Sequence, residues 1–230
     1  MTQARARAHV PWLPPGRQPA RPGAPVTPGW PAVPPPAQPP PVSPTRVWLD
    51  PHAGWMESLH ERLLERRIVL ASGILDDDAA SRLSAQLLTL DAEGEAPIRL
   101  ELQNLRAQLP ATLTVMGILD VMRVEVHACV SGEISGPALG ILVCCPHRVG
   151  YPNASFVLAE PKLQFGGTVT ALTAREQQAT RMLDTLYYRI AEATGREADE
   201  IREHARRGLA LTTAQAIGYG LIQAQASGRD

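Results

Sequence analysis

Proline sets the first limit on what this chain can build. Sixteen of its 22 prolines fall within the first 51 of 230 residues, with PPP at 34–36 and again at 39–41. Proline fixes φ and has no N–H to donate to a helix or a sheet. Residues 1–55 are therefore expected to form a disordered, polyproline-rich arm, and residues 56–230 a folded domain long enough to bury a sizeable core. Trp12, Trp30, Trp48 and Trp55 lie in or at the end of this arm. The arm reads as a spacer, or as a ligand for a proline-recognising groove with these aromatics as anchors.

Charge excludes some partner classes. The formal net charge is −1 and Lys162 is the only lysine, so neither a nucleic acid nor a charged membrane surface is an expected partner. The three cysteines, Cys129, Cys144 and Cys145, sit in apolar stretches without metal-ligand spacing. That pattern suits reduced, buried thiols. The first residues carry no apolar signal region, and no apolar run reaches the ~18 residues of a membrane helix. A soluble, cytoplasmic protein is the expectation, and no residue is assigned to a cofactor or a metal.

Strand and helix patterns alternate through the domain. Leu59–Arg67 reads as a basic amphipathic helix leading into an Ile68-Val69-Leu70 strand. Asp76-Asp77-Asp78 caps a helix reaching about Glu93, with Ala80, Leu83, Leu87, Leu88 and Leu90 as its apolar stripe. Ile98, Leu100 and Leu102 alternate with Arg99, Glu101 and Gln103, as in a strand buried on one face. Pro110 opens a helix whose Leu113, Met116 and Met122 turn inward. Val124–Val130 is a further strand. A long helix from about Thr173 ends at Gly195, Ala198–Arg207 forms another, and Thr212 or Thr213 caps a last one that Gly220 ends. Alternation with short connections predicts an α/β fold.

The stretch from Val130 to Pro161 carries the chemistry. After the Val124–Val130 strand, Ser131-Gly132 is expected to turn the chain, and an apolar helix is expected to start from Ser135 with Pro137 in its first turn. Strand, tight turn, serine and buried helix is the build of a nucleophile elbow, in which a helix start offers free N–H groups to an oxyanion. A serine nucleophile also needs a base and an orienting acid.

The run V-x-x-x-x-S-x-x-A-L from Val130, followed by Y-P-N-x-S-x-V-x-x-x-P from Tyr151, resembles the proteolytic subunit of the ATP-dependent Clp protease, ClpP. The chain end, in Thr213, Ala214, Ala216, Tyr219, Gly220, Leu221 and Ile222, is similar to that family too, and the resemblance spans roughly Leu63 to Gln223. It implies a ClpP/crotonase-type spiral of β-β-α units. A strand-helix handle around Phe165–Val169 and the long helix projects from it and pairs two seven-membered rings, with Leu183, Leu186 and Ile190 packing against a neighbour.

At the site the resemblance implies a nucleophile at Ser135, a base at Ala159, two residues before Pro161, and an acid at Gly208. Neither Ala159 nor Gly208 can serve. The family's S-P-G-G oxyanion loop falls on Asn104-Leu105-Arg106-Ala107, and the residues after the serine are Gly136 and Pro137, the latter without an N–H. His127, placed mid-strand, His147, placed at the end of the elbow helix, and His204 read as surface or packing histidines, and Glu160 points away from Ala159.

The sequence is thus identified as a degenerate, ClpR-like member whose Ser135 is vestigial. Its expected partners are ClpP-like subunits in homo- or hetero-oligomeric rings. A Clp ATPase would dock weakly, because Arg99 and Glu101 replace the outward tyrosines of its pocket. Two alternatives remain open: an active serine endopeptidase with a rearranged site, and another acyl-transfer enzyme on the crotonase-type fold.

Overall fold

The computed structural model describes residues 54–162 and 169–227. Residues 1–53 of the expected proline-rich arm lie outside the described residues, whereas its last two, Gly54 and Trp55, already belong to the first helix. The handle strand expected around Phe165–Val169 also lies outside them, except for Val169, which begins a helix. In chain order the elements are α1 (Gly54–Glu65), β1 (Ile68–Leu75), α2 (Asp77–Glu93), β2 (Ile98–Ala107), α3 (Leu109–Val121), β3 (Val126–Ser135), α4 (Ala138–Cys144), β4 (His147–Gly150), β5 (Ser155–Val157), α5 (Val169–Thr194), α6 (Ala198–Arg207), β6 (Ala210–Thr212), α7 (Thr213–Tyr219) and β7 (Ala224–Gln225). This is the α/β alternation the sequence predicts.

The strands form one sheet in the order β1-β2-β3-β4-β7, parallel throughout, with β5 parallel to β3 and β6 antiparallel to β5. β3 changes neighbour along its length. Its residues 127–130 pair with β4, and its residues 133–135 pair with β5. The change falls at Ser131-Gly132, where Gly132 takes φ +72°. The expected turn at this point is therefore a local irregularity within a continuous strand. The glycine supplies the unusual backbone angle, but Ile134, 0 % exposed, keeps the apolar alternation and holds the chain in the sheet.

The helices cap as their sequences dictate. The Asp76 carboxylate accepts from the N–H of Ala79 at the start of α2. Thr212 and Gln215 form a reciprocal capping box at the start of α7. Its neighbour Thr213 is buried and donates instead to the carbonyl oxygens of Tyr151 (2.7 Å) and Ala154 (3.1 Å), tying α7 to the turn before β5. Arg148 binds the C-terminal segment to β4, its Nε donating to the Leu221 carbonyl at 2.8 Å.

A continuous core joins Leu83 and Leu87 of α2, Val115 of α3, Leu139 and Ile141 of α4, and the inward residues of β2 and β3. Along α2 the buried positions are Ala80, Leu83, Ser84, Leu87 and Leu90, whereas Leu88 is exposed. Leu88 lies about 100° around the helix from Leu87 and so falls off the core stripe. Two further expectations are corrected. α5 begins at Val169, four residues earlier than Thr173. Ile190, expected to face a neighbouring subunit, is 2 % exposed within this chain, and Leu186, expected there too, is 1 % exposed. Leu186 lies where α5 crosses α4 so closely that a Cβ on Gly140 would meet Leu186 Cδ1 at 2.6 Å.

Candidate active site: a serine at a strand end

Ser135 is the last residue of β3, half-buried, with Arg106 of β2 on one side and Val157 of β5 on the other. The chain then reverses through Gly136 (φ +60°) and Pro137 into α4. The expected strand–serine–helix junction is thus present, with its turn after the serine and the helix starting at Ala138. Gly136 is favoured there by its φ, and its Cα side faces the Ala159 carbonyl oxygen, which a Cβ would meet at 3.4 Å, an ordinary contact.

That contact places the three positions of interest together. β5 runs from beside Ser135 into Leu158 and Ala159. Leu158 N–H donates to the Leu209 carbonyl (2.8 Å) and Glu160 N–H to the Ala205 carbonyl (3.1 Å), so Ala159 is strapped across the end of α6. Gly208 is the left-handed C-cap of α6 (φ 70°, ψ 50°), immediately before Leu209. Ser135, Ala159 and Gly208 therefore belong to one corner of the fold, and neither of the latter two carries a group that accepts a proton.

The oxyanion side is closed off as well. The N–H of the residue after a nucleophilic serine is ordinarily an oxyanion donor. Here Gly136 N–H donates to the Val157 carbonyl at 2.9 Å. Residues 104–107 do not form a loop. They continue β2, with Leu105 and Arg106 paired to Ile134 and Ser135 of β3, and Leu105, Arg106 and Ala107 paired to Gly73, Ile74 and Leu75 of β1. Side chains at Leu105 and Arg106 in place of a proline and a glycine let the strand run on, so the segment is held on both sides.

The histidines lie elsewhere. His204 Nδ1 is 2.7 Å from the Tyr219 hydroxyl, on the α6–α7 contact. Burial pushes the Tyr219 phenol up to about 12, so the hydroxyl stays protonated at neutral pH. His127 is eight residues before Ser135 on the same strand, roughly 25 Å away at strand rise. His147, expected at the end of the elbow helix, instead begins β4 directly beside His127. Glu160 is exposed, as expected for a side chain on the far side of Ala159. Among the described residues no histidine or carboxylate is hydrogen-bonded to the Ser135 hydroxyl.

On the outer face of β2, Arg99 and Glu101 form an ion pair at 2.6 Å, and Arg99 also donates to the Tyr151 hydroxyl at 3.0 Å. This face is polar where a docking pocket would be apolar.

A mixed α/β sheet with a serine at a strand end, followed by a glycine turn and a buried helix, has the framework of a serine-hydrolase elbow. The sequence profile of the Clp protease family matches residues 53–227, and the chain belongs to that family. The ATP-dependent Clp protease proteolytic subunit of Paracoccus denitrificans is 26% identical over 159 residues, covering 68% of this chain and 80% of that protein. The subunit of the same name from Ligilactobacillus salivarius is 26% identical over 167 residues, covering 71% and 85%. ATP-dependent Clp protease proteolytic subunit 1 of Nocardia farcinica is 29% identical over 174 residues, covering 74% and 88%.

Proposed function

We propose that this chain is a catalytically degenerate Clp proteolytic-subunit homologue that serves as a structural or regulatory member of Clp rings in the cytoplasm, built from its own copies or shared with active paralogues. The observation that carries this reading is the corner around Ser135. An alanine occupies the expected base position, and the Gly136 N–H is already engaged by the Val157 carbonyl. A hydroxyl without a base and without free oxyanion donors lacks both the activation and the charge stabilisation of acyl transfer. The match over residues 53–227 supports a retained assembly scaffold. The Arg99–Glu101 pair with Tyr151 supports weak engagement of an ATPase on that face.

The test uses the full-length protein in two assays. Exposure to a fluorophosphonate probe and to fluorogenic peptides is expected to give neither labelling of Ser135 nor turnover. Stoichiometric labelling overturns the inactive reading. Mass photometry, alone and with the Clp subunits of its host, is expected to give ring or half-ring particles containing this chain. A monomer under every condition overturns the ring reading.

A further inference from the structure

Away from Ser135, three side chains converge at the opposite end of β3. Glu125, His127 and His147 each offer one ligand atom, and these atoms all lie within 4.8 Å of one another. His127 Nε2 is 3.5 Å and His147 Nε2 is 3.6 Å from the same Glu125 oxygen, Oε2. The two imidazoles meet edge to face with centroids 4.5 Å apart. From this geometry we infer a binding site for a first-row divalent cation of the Zn²⁺ type, held by Glu125, His127 and His147.

The spacing fits that ion. A tetrahedral centre with bonds of about 2.0–2.1 Å has edges of about 3.3–3.4 Å. The two nitrogen–oxygen separations are therefore within a few tenths of an ångström of the ligand polyhedron. Two imidazoles with one carboxylate select borderline transition ions over Mg²⁺ and Ca²⁺, which take oxygen ligands. The backbone presents the set firmly. His127 and His147 are register partners on adjacent parallel strands, and Glu125 lies two residues before His127, on the same side of the extended chain.

The surroundings leave the site to the cation. Arg99 sits in the same cross-strand row, opposite His127, but its guanidinium is taken up by Glu101 and the Tyr151 hydroxyl. The side chains are 62 %, 39 % and 61 % exposed for Glu125, His127 and His147, so the cation enters from solvent and water completes its coordination.

The experiment is calorimetric titration of the full-length protein with Zn²⁺ after chelator treatment, alongside Co²⁺ absorption spectra. One equivalent per chain is expected, with a Co²⁺ spectrum lacking the intense thiolate charge-transfer band. His127→Gln, at a half-buried position, and His147→Gln, at an exposed one, are each expected to weaken binding by about tenfold or more, and Glu125→Gln in the same direction. Far-UV circular dichroism of each variant should match the parent. Absence of binding overturns the proposal. So does undiminished stoichiometric binding by the His127→Gln/His147→Gln double variant, which would place the metal on one of the four remaining histidines, His9, His52, His60 or His204. A thiolate band overturns it as well, by placing the metal on a cysteine.

Discussion

The side-chain amide of Asn104 occupies the space next to Gly132 that a larger residue would need. A Cβ on Gly132 would lie 2.1 Å from Asn104 Oδ1. That oxygen accepts from the Glu133 N–H at 3.1 Å, and Asn104 itself takes a left-handed φ of 47°. The two residues together make the matched irregularity by which β2 and β3 shift register between Gln103 and Leu105.

Gly132→Ala should accordingly destabilise the fold by about 1–3 kcal/mol, from the positive φ and the clash together. Asn104→Ala alone should cost about 1 kcal/mol, through the lost hydrogen bond. The double variant should cost less than the sum, because truncating Asn104 removes the clash that Gly132→Ala creates. Urea unfolding of the four proteins measures this, and strict additivity would show that the two positions do not interact.

Supplying the missing base should not create a peptidase. In Ala159→His, and in Ala159→His/Gly208→Asp, the Gly136 N–H still donates to Val157 and Pro137 still has no N–H. Loss of a single oxyanion donor typically lowers turnover by about 10²–10³, and here the Gly136 N–H is engaged by Val157 while Pro137 has none to offer. Peptide cleavage should stay at background in both variants, and clear turnover by either would mean that the Gly136–Val157 bond opens readily.

The fold should shield all three thiols from thiol reagents and lose stability at high pH. Burial pushes Cys129, Cys144 and Cys145 above the ordinary thiol value of 9.0, and Glu101 adds to the rise at Cys129. A raised folded-state value means that the folded chain holds its protons more tightly. The associated stability is complete below the unfolded thiol value and is lost as pH rises through the folded ones. Native protein should therefore react slowly with Ellman's reagent at pH 7 and rapidly in denaturant. Its melting temperature should fall above about pH 9, and this slope should be shallower in Cys145→Ala.

Leu186→Asp should unfold the chain. The side chain is buried against the α4–α5 crossing. Loss of a core leucine costs about 2–5 kcal/mol before the charge is counted, and a buried unpaired carboxylate adds to it. Tyr188, 67 % exposed on the same helix, offers the contrasting probe: Tyr188→Asp should stay folded, within about 0.5 kcal/mol of the parent. Circular dichroism and particle mass separate the two effects. A folded, monodisperse Leu186→Asp would place that side chain outside the core.

The elements with strong local signals were legible in the sequence. Asp76, Gly195 and Gly220 mark helix ends through capping chemistry that needs no tertiary partner, and Ile98–Leu102 carries its alternation openly. What escaped depends on pairing. Residues 104–107 are a loop only by resemblance to the family, and in this chain β1 and β3 pair on either side of them. His147 looks like a helix end until β4 aligns it with His127, so the Glu125–His127–His147 set has no signature along the chain beyond E-x-H. Leu186 shows the same limit from the other side. An apolar stripe tells which face is buried, and leaves open whether the chain buries it by itself or against a neighbour.

The change of partner along β3 divides one strand into two mechanical compartments. Below Gly132 its neighbours are β2 and β4, in the widest part of the sheet. Above Gly132 its second neighbour is β5, a three-residue strand anchored in turn by the three-residue β6. Beyond Gly132 the strand is thus held on one side by short ladders, although Ile134 and Phe156 there still belong to the core. Such an arrangement confines the direct effect of a side-chain change at Ser135 to the last rung of one strand.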